Sequence, residues 1–313
     1  MNNFYYCIDI GGTFIKAGIV DNNNNIILST STPTDEIKKK EDLATALFEI
    51  IQNLSLSSNL NYKDAAGIGI GITGLVDIKN GIVSYTIVTK EKNYPLKSKL
   101  EKLTNIPVKI GNDADVATLA EQFDGAGIGY KNFVMLTIGT GIGCGIVLDG
   151  HNLGIKYERP VEIGHTRISD KQTDCTCGEI GCYERLGSTS ALVFQVKNAL
   201  KSQPKHIIFE KYTLDEINGK IIFDYIDDDL IKSIINQFIE YISLGIINLV
   251  NIFKPEIIII GGAISKQKEN LIKPIEQYVN THSFLKHMGY KSKIVPAKFT
   301  GDAGIIGAKY LFN

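Results

Sequence analysis

The stretch CIDIGGTFIKAGIV, residues 7–20, decides the fold, because its pattern returns further along the chain as LTIGTGIGCGIVLD, residues 136–149. Each copy is an apolar run, a turn rich in glycine and threonine, and a second apolar run, which predicts two strands joined by a tight turn. Two copies indicate two similar α/β halves, and ligand sites favour the interface between such halves. We therefore expect two α/β domains with a cleft between them.

The two glycine turns admit two interpretations. Glycines let backbone N–H groups approach a phosphate without obstruction by a Cβ, and a threonine adds a hydroxyl donor. A tight hairpin also selects glycine. Either turn alone favours the hairpin, whereas the pair, at corresponding places in two halves, favours phosphate binding. A third turn, Gly261 and Gly262, follows the apolar run 257–260 and predicts either a nucleoside contact or a plain strand end.

Two common nucleotide-binding motifs are excluded. The pattern GxxxxGK[ST] of a P-loop does not occur in the sequence. The stretch GIGITG, residues 69–74, matches GxGxxG and follows an apolar run, but the LVDIKNG after it does not open a helix. A nicotinamide-dinucleotide site is therefore not expected.

The remaining chain alternates strand and helix signals. A meander of strands is predicted over 4–10, 14–20 and 26–32, and further buried strands over 65–72 and 256–262. Capping residues and a closing glycine bound a helix within 112–127. A long, mostly apolar helix is predicted over 227–253, where Pro255 ends it, and we expect it to be buried.

Bulk properties exclude some classes of partner. The 313 residues carry a formal net charge of −1, which gives no general attraction to nucleic acid or to an anionic membrane. The first residues lack the basic start and apolar run of a signal peptide, and the apolar stretch 241–253 is too short to span a bilayer. We expect a cytoplasmic protein without membrane or nucleic-acid partners, in which the five cysteines are thiols.

A cluster of metal-ligand residue types lies in EIGHTRISDKQTDCTCGEIGCYERLG, residues 162–187. His165, Cys175, Cys177 and Cys182 offer one nitrogen and three sulfurs, the ligand set of a closed structural zinc site. A disulfide is disfavoured by the cytoplasmic setting, and core thiols are disfavoured by the polar neighbours Asp174, Thr176 and Glu179. We therefore predict a structural Zn²⁺.

In order along the chain, the segments DIGGTFIKAGIV, GIGIGITGLVD, NDADVATLAE, IGTGIGCGIVLDG, EIGH, CTCGEIGCYE, IIIIGGAIS and GDAGIIGA resemble the ROK family of sugar kinases and sugar-responsive repressors, within the actin-like ATPase superfamily. The resemblance implies an RNase H-like fold in each domain, with ATP and Mg²⁺ at the glycine loops. It implies a smaller N-terminal domain, residues 1–112 plus about 300–313, and a larger one, residues 113–299, that carries the zinc loop. It also implies a homodimer.

The resemblance also assigns residues on the ATP side. Asp9 would lie near the metal and the phosphates. The implied cofactor-binding residues are Gly11, Gly12, Thr13 and Lys16 in the first loop, Gly139, Thr140, Gly141 and Gly143 in the second, and Gly261 and Gly262 beside the adenosine.

On the sugar side, Asp113 is the candidate general base, which would take the proton of the attacking hydroxyl. The alternative for Asn112 and Asp113 is a plain helix N-cap. Gly74, Asn112, Asp113, Glu162, His165 and Glu184 are the implied sugar contacts. If zinc takes one imidazole nitrogen of His165, the other can donate to a sugar hydroxyl. The alternative for the two glutamates is an exposed surface position.

These assignments predict an ATP-dependent hexose kinase of the glucokinase type. N-acetylhexosamines, fructose and β-glucosides remain alternative acceptors, because YTIVTKEKNYPL, residues 85–96, has neither the asparagine that contacts sugar in the family pattern nor any tryptophan. The repressor class carries an N-terminal helix-turn-helix, whereas here the first strand begins at about Phe4. A non-catalytic sugar-responsive sensor is the alternative of another class.

Overall fold

The computed structural model describes residues 4–40, 42–86, 88–89, 92–171 and 173–313. Ile87, Lys90 and Glu91 lie outside the described residues. They belong to segment 85–96, which departs from the family pattern. The strands of the described part are β1 Phe4–Ile10, β2 Phe14–Asp21, β3 Ile26–Pro33, β4 Gly67–Ile72, β5 Leu75–Asp77, β6 Ile82–Tyr85, β7 Val108–Asn112, β8 Phe133–Ile138, β9 Ile142–Leu148, β10 His151–Asn152, β11 Ile257–Gly261 and β12 Ile294–Pro296. Its helices are α1 Thr34–Ile37, α2 Leu43–Ser58, α3 Leu96–Thr104, α4 Asp113–Asp124, α5 Leu153–Lys156, α6 Tyr183–Gly187, α7 Thr189–Leu200, α8 Gly219–Asp224, α9 Asp229–Phe253, α10 Lys273–His282 and α11 Ala303–Lys309.

The chain divides into two compact units. The first contains Met1–Lys131, Gly145–Val161 and Gly301–Asn313, and the second contains Asn132–Cys144 and Glu162–Thr300. Helix α4 therefore belongs to the first unit, whereas the domain boundary predicted after residue 112 would place it in the second. The physical reason is packing, because α4 lies against α11 and β4.

The first unit is built on a mixed sheet with the strand order β3-β2-β1-β4-β7. Strands β1, β2 and β3 form the predicted antiparallel meander. Strands β4 and β7 then add to β1 in parallel, and parallel neighbours need crossover connections, here supplied by segments that contain α2 and α3. The predicted strands and helices of this unit are all present.

The sequence GIGIGI of β4 is explained by its two faces. Side chains alternate between the faces of a strand. Ile68, Ile70 and Ile72 belong to the same core cluster as residues of α2. On the other face the glycines admit helices at close range: an ideal Cβ on Gly69 would lie 2.1 Å from the carbonyl oxygen of Ala308 in α11. Helix packing, not a dinucleotide, accounts for these glycines.

The same close approach predicts the effect of a small substitution in α11. A Cβ on Gly307 would lie 1.8 Å from the backbone oxygen of Val116 in α4. Because this neighbour is backbone and cannot swing away, we expect Gly307→Ala to destabilise the protein by about 1–3 kcal/mol. Gly301→Ala is the matched control, since its nearest atom would be 3.9 Å away. Urea unfolding of both variants measures the difference, and equal midpoints would contradict the prediction.

The second five-stranded sheet has the order β10-β9-β8-β11-β12, and the chain passes from one unit to the other within β9. Strand β11 pairs in parallel with β8 on one side and β12 on the other, so its four isoleucines are buried, as predicted. A short hairpin, β5 and β6, was not predicted from the sequence.

Helix α9 is the long apolar helix of the second unit. Asp228 caps its first turn through the backbone N–H of Ile231, and Lys254 ends it in a left-handed conformation with a φ of 47°. Its length and apolarity would also allow a membrane span. Its apolar residues pack against α10, α6 and α7, which is typical of a core helix.

Candidate functional site

The first glycine loop joins β1 to β2. The N–H of Gly11 donates to the carbonyl oxygen of Phe14 at 3.0 Å, and Ile10 pairs with Ile15 across the ladder. The hairpin interpretation is therefore correct for the backbone. Gly12 is half-buried and Thr13 is exposed at the turn, so the geometry also leaves the loop accessible to a ligand.

Asp9 lies at the end of β1, directly before this loop, and is packed under the start of α11. A Cβ on Gly304 would lie 2.3 Å from Cγ of Asp9. Burial raises the pKa of Asp9 to about 6, and the nearby charge of Lys16 opposes that shift. A carboxylate in such surroundings is stabilised by a cation, so Asp9 fits the predicted position beside Mg²⁺.

Lys16 has a structural partner. Its ammonium group donates to the carbonyl oxygen of Gly301 at 2.7 Å, so it holds the segment before α11 against the β1–β2 hairpin. Sequence reasoning assigned no role to Gly301 and Gly304, although both lie in the quoted segment GDAGIIGA. The sequence shows only the spacing of these glycines. The structure shows the reason for it: Gly304 packs against Asp9, and the carbonyl oxygen of Gly301 accepts from Lys16.

Asn112 and Asp113 lie where β7 gives way to α4. The amide oxygen of Asn112 accepts from the N–H groups of Ala114 and Asp115 at 2.9 and 3.4 Å. Its amide nitrogen donates to the carbonyl oxygen of Gly74 at 3.2 Å. The N-cap interpretation is therefore correct for Asn112, and the cap brings together two of the predicted sugar contacts, Asn112 and Gly74.

Asp113 occupies the first turn of α4 and is only partly buried. Its Oδ1 accepts from the N–H of Ala114 at 3.0 Å. The positive end of the helix dipole stabilises the ionised form of a carboxylate in this position. An accessible carboxylate at a helix start meets the geometric requirement of a general base.

The second glycine loop, residues 139–141, is closed by its own backbone and by α7. The N–H of Gly139 donates to the carbonyl oxygen of Gly141 at 3.0 Å, and the N–H of Thr189 donates to that of Gly139 at 2.9 Å. Thr140 is exposed at the tip. Gly143 lies within β9 rather than in the loop.

Gly261 and Gly262 end β11 next to β8. Gly262 has a φ of 89°, and a Cβ there would lie 2.2 Å from the carbonyl oxygen of Ile138. A Cβ on Gly261 would lie 2.8 Å from Cε of Met135. Packing and backbone conformation thus require glycine at 262, independently of the predicted adenosine contact, whereas a side chain at 261 would displace only the flexible end of Met135.

The predicted metal ligands converge in the second unit. One ligand atom from each of His165, Cys175, Cys177 and Cys182 lies within 4.8 Å of the others. The sulfurs of Cys177 and Cys182 are 3.6 Å apart, too far for a disulfide bond of about 2.0 Å. Nδ1 of His165 lies 3.5 Å from the sulfur of Cys175. A tetrahedral zinc site would place such atoms about 3.5–3.8 Å apart, so the four residues fit zinc.

The two buried thiols, Cys175 and Cys182, need a cation in order to ionise at neutral pH. Burial raises the pKa of Cys175, and burial together with the neighbouring thiols raises the pKa of Cys182 to about 12. At neutral pH these two groups are thiols unless a metal displaces their protons. A tight turn with Gly178 at a φ of 95° and Gly181 at 69° brings the three cysteines together.

Tyr183 anchors this segment to the core, and sequence reasoning missed it. The residue follows Cys182 directly and is fully buried, its hydroxyl donating to the carbonyl oxygen of Ile242 in α9 at 2.8 Å. Its ring occupies the space in which a side chain at Gly245 would lie, 2.2 Å from an ideal Cβ. The cluster is therefore held against the longest helix of its unit.

Two carboxylates lie beside the cluster. Oε1 of Glu184 is 3.5 Å from the sulfur of Cys175 and 3.9 Å from Nδ1 of His165. The pKa of Glu162 lies above its usual value, mainly because the carboxylate is desolvated. The charge of His165 opposes this shift, and the charge of Glu184 adds to it. Glu162, His165 and Glu184 thus form one group of acceptors and donors, as the sugar assignment requires.

Comparison with known proteins places these features in a family. A model of the ROK family matches residues 5–313. The glucokinase of Halalkalibacterium halodurans is 30% identical over 99% of this chain and 95% of its own length. The xylose repressor of Caldicellulosiruptor bescii is 29% identical over 96% of this chain, which covers 75% of the repressor.

A solved structure agrees with the fold. The ROK family glucokinase of Streptomyces griseus, crystallised with glucose and AMPPNP, has a TM-score of 0.87, is 27% identical, and matches over 98% of both chains. The two sheets with their helices therefore form an actin-like ATPase fold, as predicted. With nearly every residue covered by the family model, the chain belongs to the ROK family.

Proposed function

We propose that the protein is an ATP-dependent kinase that phosphorylates a hydroxyl of a hexose, as a glucokinase does. The observation that carries the proposal is the group formed by Glu162, His165 and Glu184 beside a glycine loop. Paired carboxylates accept hydrogen bonds from adjacent sugar hydroxyls. The glycine loop offers backbone N–H groups to phosphate. Sugar and phosphate chemistry thus meet within one unit of the chain.

The reaction needs little covalent chemistry from the protein. Asp113 takes the proton of the sugar hydroxyl as its oxygen attacks the γ-phosphate, and Asn112 and Gly74 support the same substrate from the cap of α4. Glu162 and Glu184 hold further hydroxyls. His165 presents Nδ1 to the sulfur cluster, so Nε2 is the ring atom that donates to the sugar.

The glycine loops are the residues assigned to the nucleotide. Gly11, Gly12 and Thr13 are assigned to phosphate, as are Gly139, Thr140 and Gly141, and Gly261 and Gly262 are assigned to the adenosine. Asp9 holds Mg²⁺, which would neutralise charge on the transferring phosphoryl group. His165, Cys175, Cys177 and Cys182 hold Zn²⁺ in a closed site that orders the segment 162–187 and performs no chemistry.

Asp9 allows a direct test of the nucleotide side. We expect Asp9→Asn to weaken binding of magnesium ATP by about 10-fold or more, because an ionic contact is lost. The thermal midpoint of the protein without ligand should not fall, since burial already disfavours the charged carboxylate. Asp35→Asn, on the exposed surface of α1, is the control. Unchanged ATP affinity in a calorimetric titration would contradict the assignment.

The alternatives are a kinase for a different sugar and a sugar-responsive regulator. The candidate acceptors are glucose, N-acetylhexosamines, fructose and β-glucosides, because segment 85–96 departs from the family pattern. A sugar-responsive regulator is the second class, and a repressor is among the relatives. The accessible carboxylate of Asp113 at the start of α4 favours the enzyme, because a sensor does not need a general base.

Release of ADP from magnesium ATP tests the proposal. The assay compares glucose, mannose, N-acetylglucosamine, N-acetylmannosamine, fructose, a β-glucoside and no sugar. We expect one or more sugars to accelerate release well above the sugar-free rate. If no sugar does so, while the protein is folded, holds zinc and binds a sugar in calorimetry, the regulator replaces the kinase.

We also propose a homodimer in the cytoplasm. Ile252, Phe284 and Met288 are exposed, with 68%, 72% and 72% of their surface accessible. They lie at the end of α9 and on the turn after α10, which contact each other. Large exposed apolar side chains on elements that pack together favour a protein partner. Light scattering after gel filtration gives the mass, and a monomer at micromolar concentration would contradict the dimer.

A further inference from the structure

The carboxylate of Glu184 lies where a side chain at position 141 would begin. An ideal Cβ on Gly141 would be 2.5 Å from Oε2 of Glu184 and 3.6 Å from its Cδ. The φ of Gly141 is outside the left-handed range, unlike that of Gly262. The backbone conformation therefore does not require glycine at 141, and what a side chain there would displace is the carboxylate of Glu184.

The other side of the same carboxylate faces the metal ligands. Oε1 lies 3.5 Å from the sulfur of Cys175 and 3.9 Å from Nδ1 of His165. The side chain is mostly buried, with 20% of its surface exposed. Glu184 thus lies between the cysteine cluster and the second glycine loop.

We infer that Gly141 is a positioning residue for the sugar site: its missing side chain lets Glu184 hold the orientation in which it binds the substrate. The inference rests on the proposed function, which makes Glu184 a sugar ligand. Gly141 therefore acts on the sugar through Glu184, in addition to its place in the phosphate loop.

Two alanine substitutions in one loop separate this role from phosphate binding. Gly141→Ala places a methyl group against Oε2, the far end of a flexible side chain, so the chain folds and the carboxylate moves. Gly139→Ala is the matched control, because a Cβ there meets nothing within 4 Å. Both can weaken ATP binding, so the sugar is titrated calorimetrically without nucleotide. Glucose is used first, or whichever sugar gave the fastest ADP release.

We expect Gly141→Ala to raise the Kd for sugar about 10-fold or more, as for the loss of a hydrogen bond to a charged group. Gly139→Ala should change the Kd for sugar by no more than about twofold, which corresponds to less free energy than one such hydrogen bond contributes. Zinc content and the thermal midpoint should match the unmodified protein in both variants.

A double variant checks that Glu184 carries the effect. In Glu184→Asp the carboxylate is withdrawn by one methylene, so adding Gly141→Ala should cause little further change in the Kd for sugar. Equal sugar affinities of the two single alanine variants would overturn the inference and leave the kinase proposal standing. Absence of sugar binding by the unmodified protein would overturn the proposed function and this inference together.

Discussion

We expect Asp113→Asn to lower the sugar-dependent turnover number by about 10²–10⁴-fold, the usual contribution of a general base. Asparagine keeps the size of the side chain and an oxygen that can accept from the N–H of Ala114, as Asp113 does at 3.0 Å. It cannot take a proton. The helix start should therefore remain intact while proton transfer fails.

The split between kinetic constants distinguishes a base from a structural cap. Loss of the base lowers kcat with a small effect on the KM for sugar. Loss of the cap lowers the thermal midpoint, lowers kcat and raises the KM for sugar. Steady-state kinetics and thermal unfolding of Asp113→Asn and of the exposed control Asp35→Asn provide the comparison. Full turnover by Asp113→Asn would exclude Asp113 as the base.

Removal of zinc is expected to have the largest effect on stability. Apparent binding energies of structural zinc in isolated fingers are about 10–16 kcal/mol, comparable to the stability of a whole domain. We expect about one zinc per chain after purification. A strong chelator should lower the thermal midpoint and abolish sugar binding, because His165 and Glu184 lose the arrangement that the cluster imposes.

Cys177 allows the metal to be removed without disturbing the core. It is the exposed sulfur of the cluster, whereas Cys175 and Cys182 are buried. Cys177→Ser should lower zinc affinity by more than the roughly 10–100-fold found for residues that only support a ligand. Cys7→Ala is the matched control, since Cys7 is buried in β1 outside the cluster and its loss should cost packing but no zinc. Metal analysis showing no zinc, with stability unaffected by chelator, would contradict the site.

The sequence predicted the local elements well, because their apolar periodicity is strong. The meander β1–β3, the helix α4 with its cap and the apolar helix α9 all follow from short stretches. The β5–β6 hairpin was missed because strands of three and four residues carry almost no periodic signal. The grouping of α4 with α11 depends on packing between residues far apart in the chain, which periodicity does not report.

The site shows the same division. His165 and the three cysteines lie close together in sequence and are chemically distinctive, so their convergence could be predicted. An asparagine at position 112 is compatible with both a helix cap and a sugar contact. The hydrogen bonds to the N–H groups of Ala114 and Asp115 show that it is a cap. Gly141 was predicted for phosphate alone, because nothing in the sequence shows that Glu184 occupies its Cβ position.

The packing of α11 has a consequence for biosynthesis. Residues 301–313 complete the first unit, where α11 contacts α4, β1 and β4, yet the ribosome adds them after the whole of the second unit. Domains generally fold as units during synthesis, starting from the N-terminus. Here the nascent first unit carries an uncovered face around Gly69 and Val116 until Ile305, Ile306 and Ala308 arrive to be buried there. The first unit, most of which is translated first, is therefore completed only after the whole of the second unit has been synthesised.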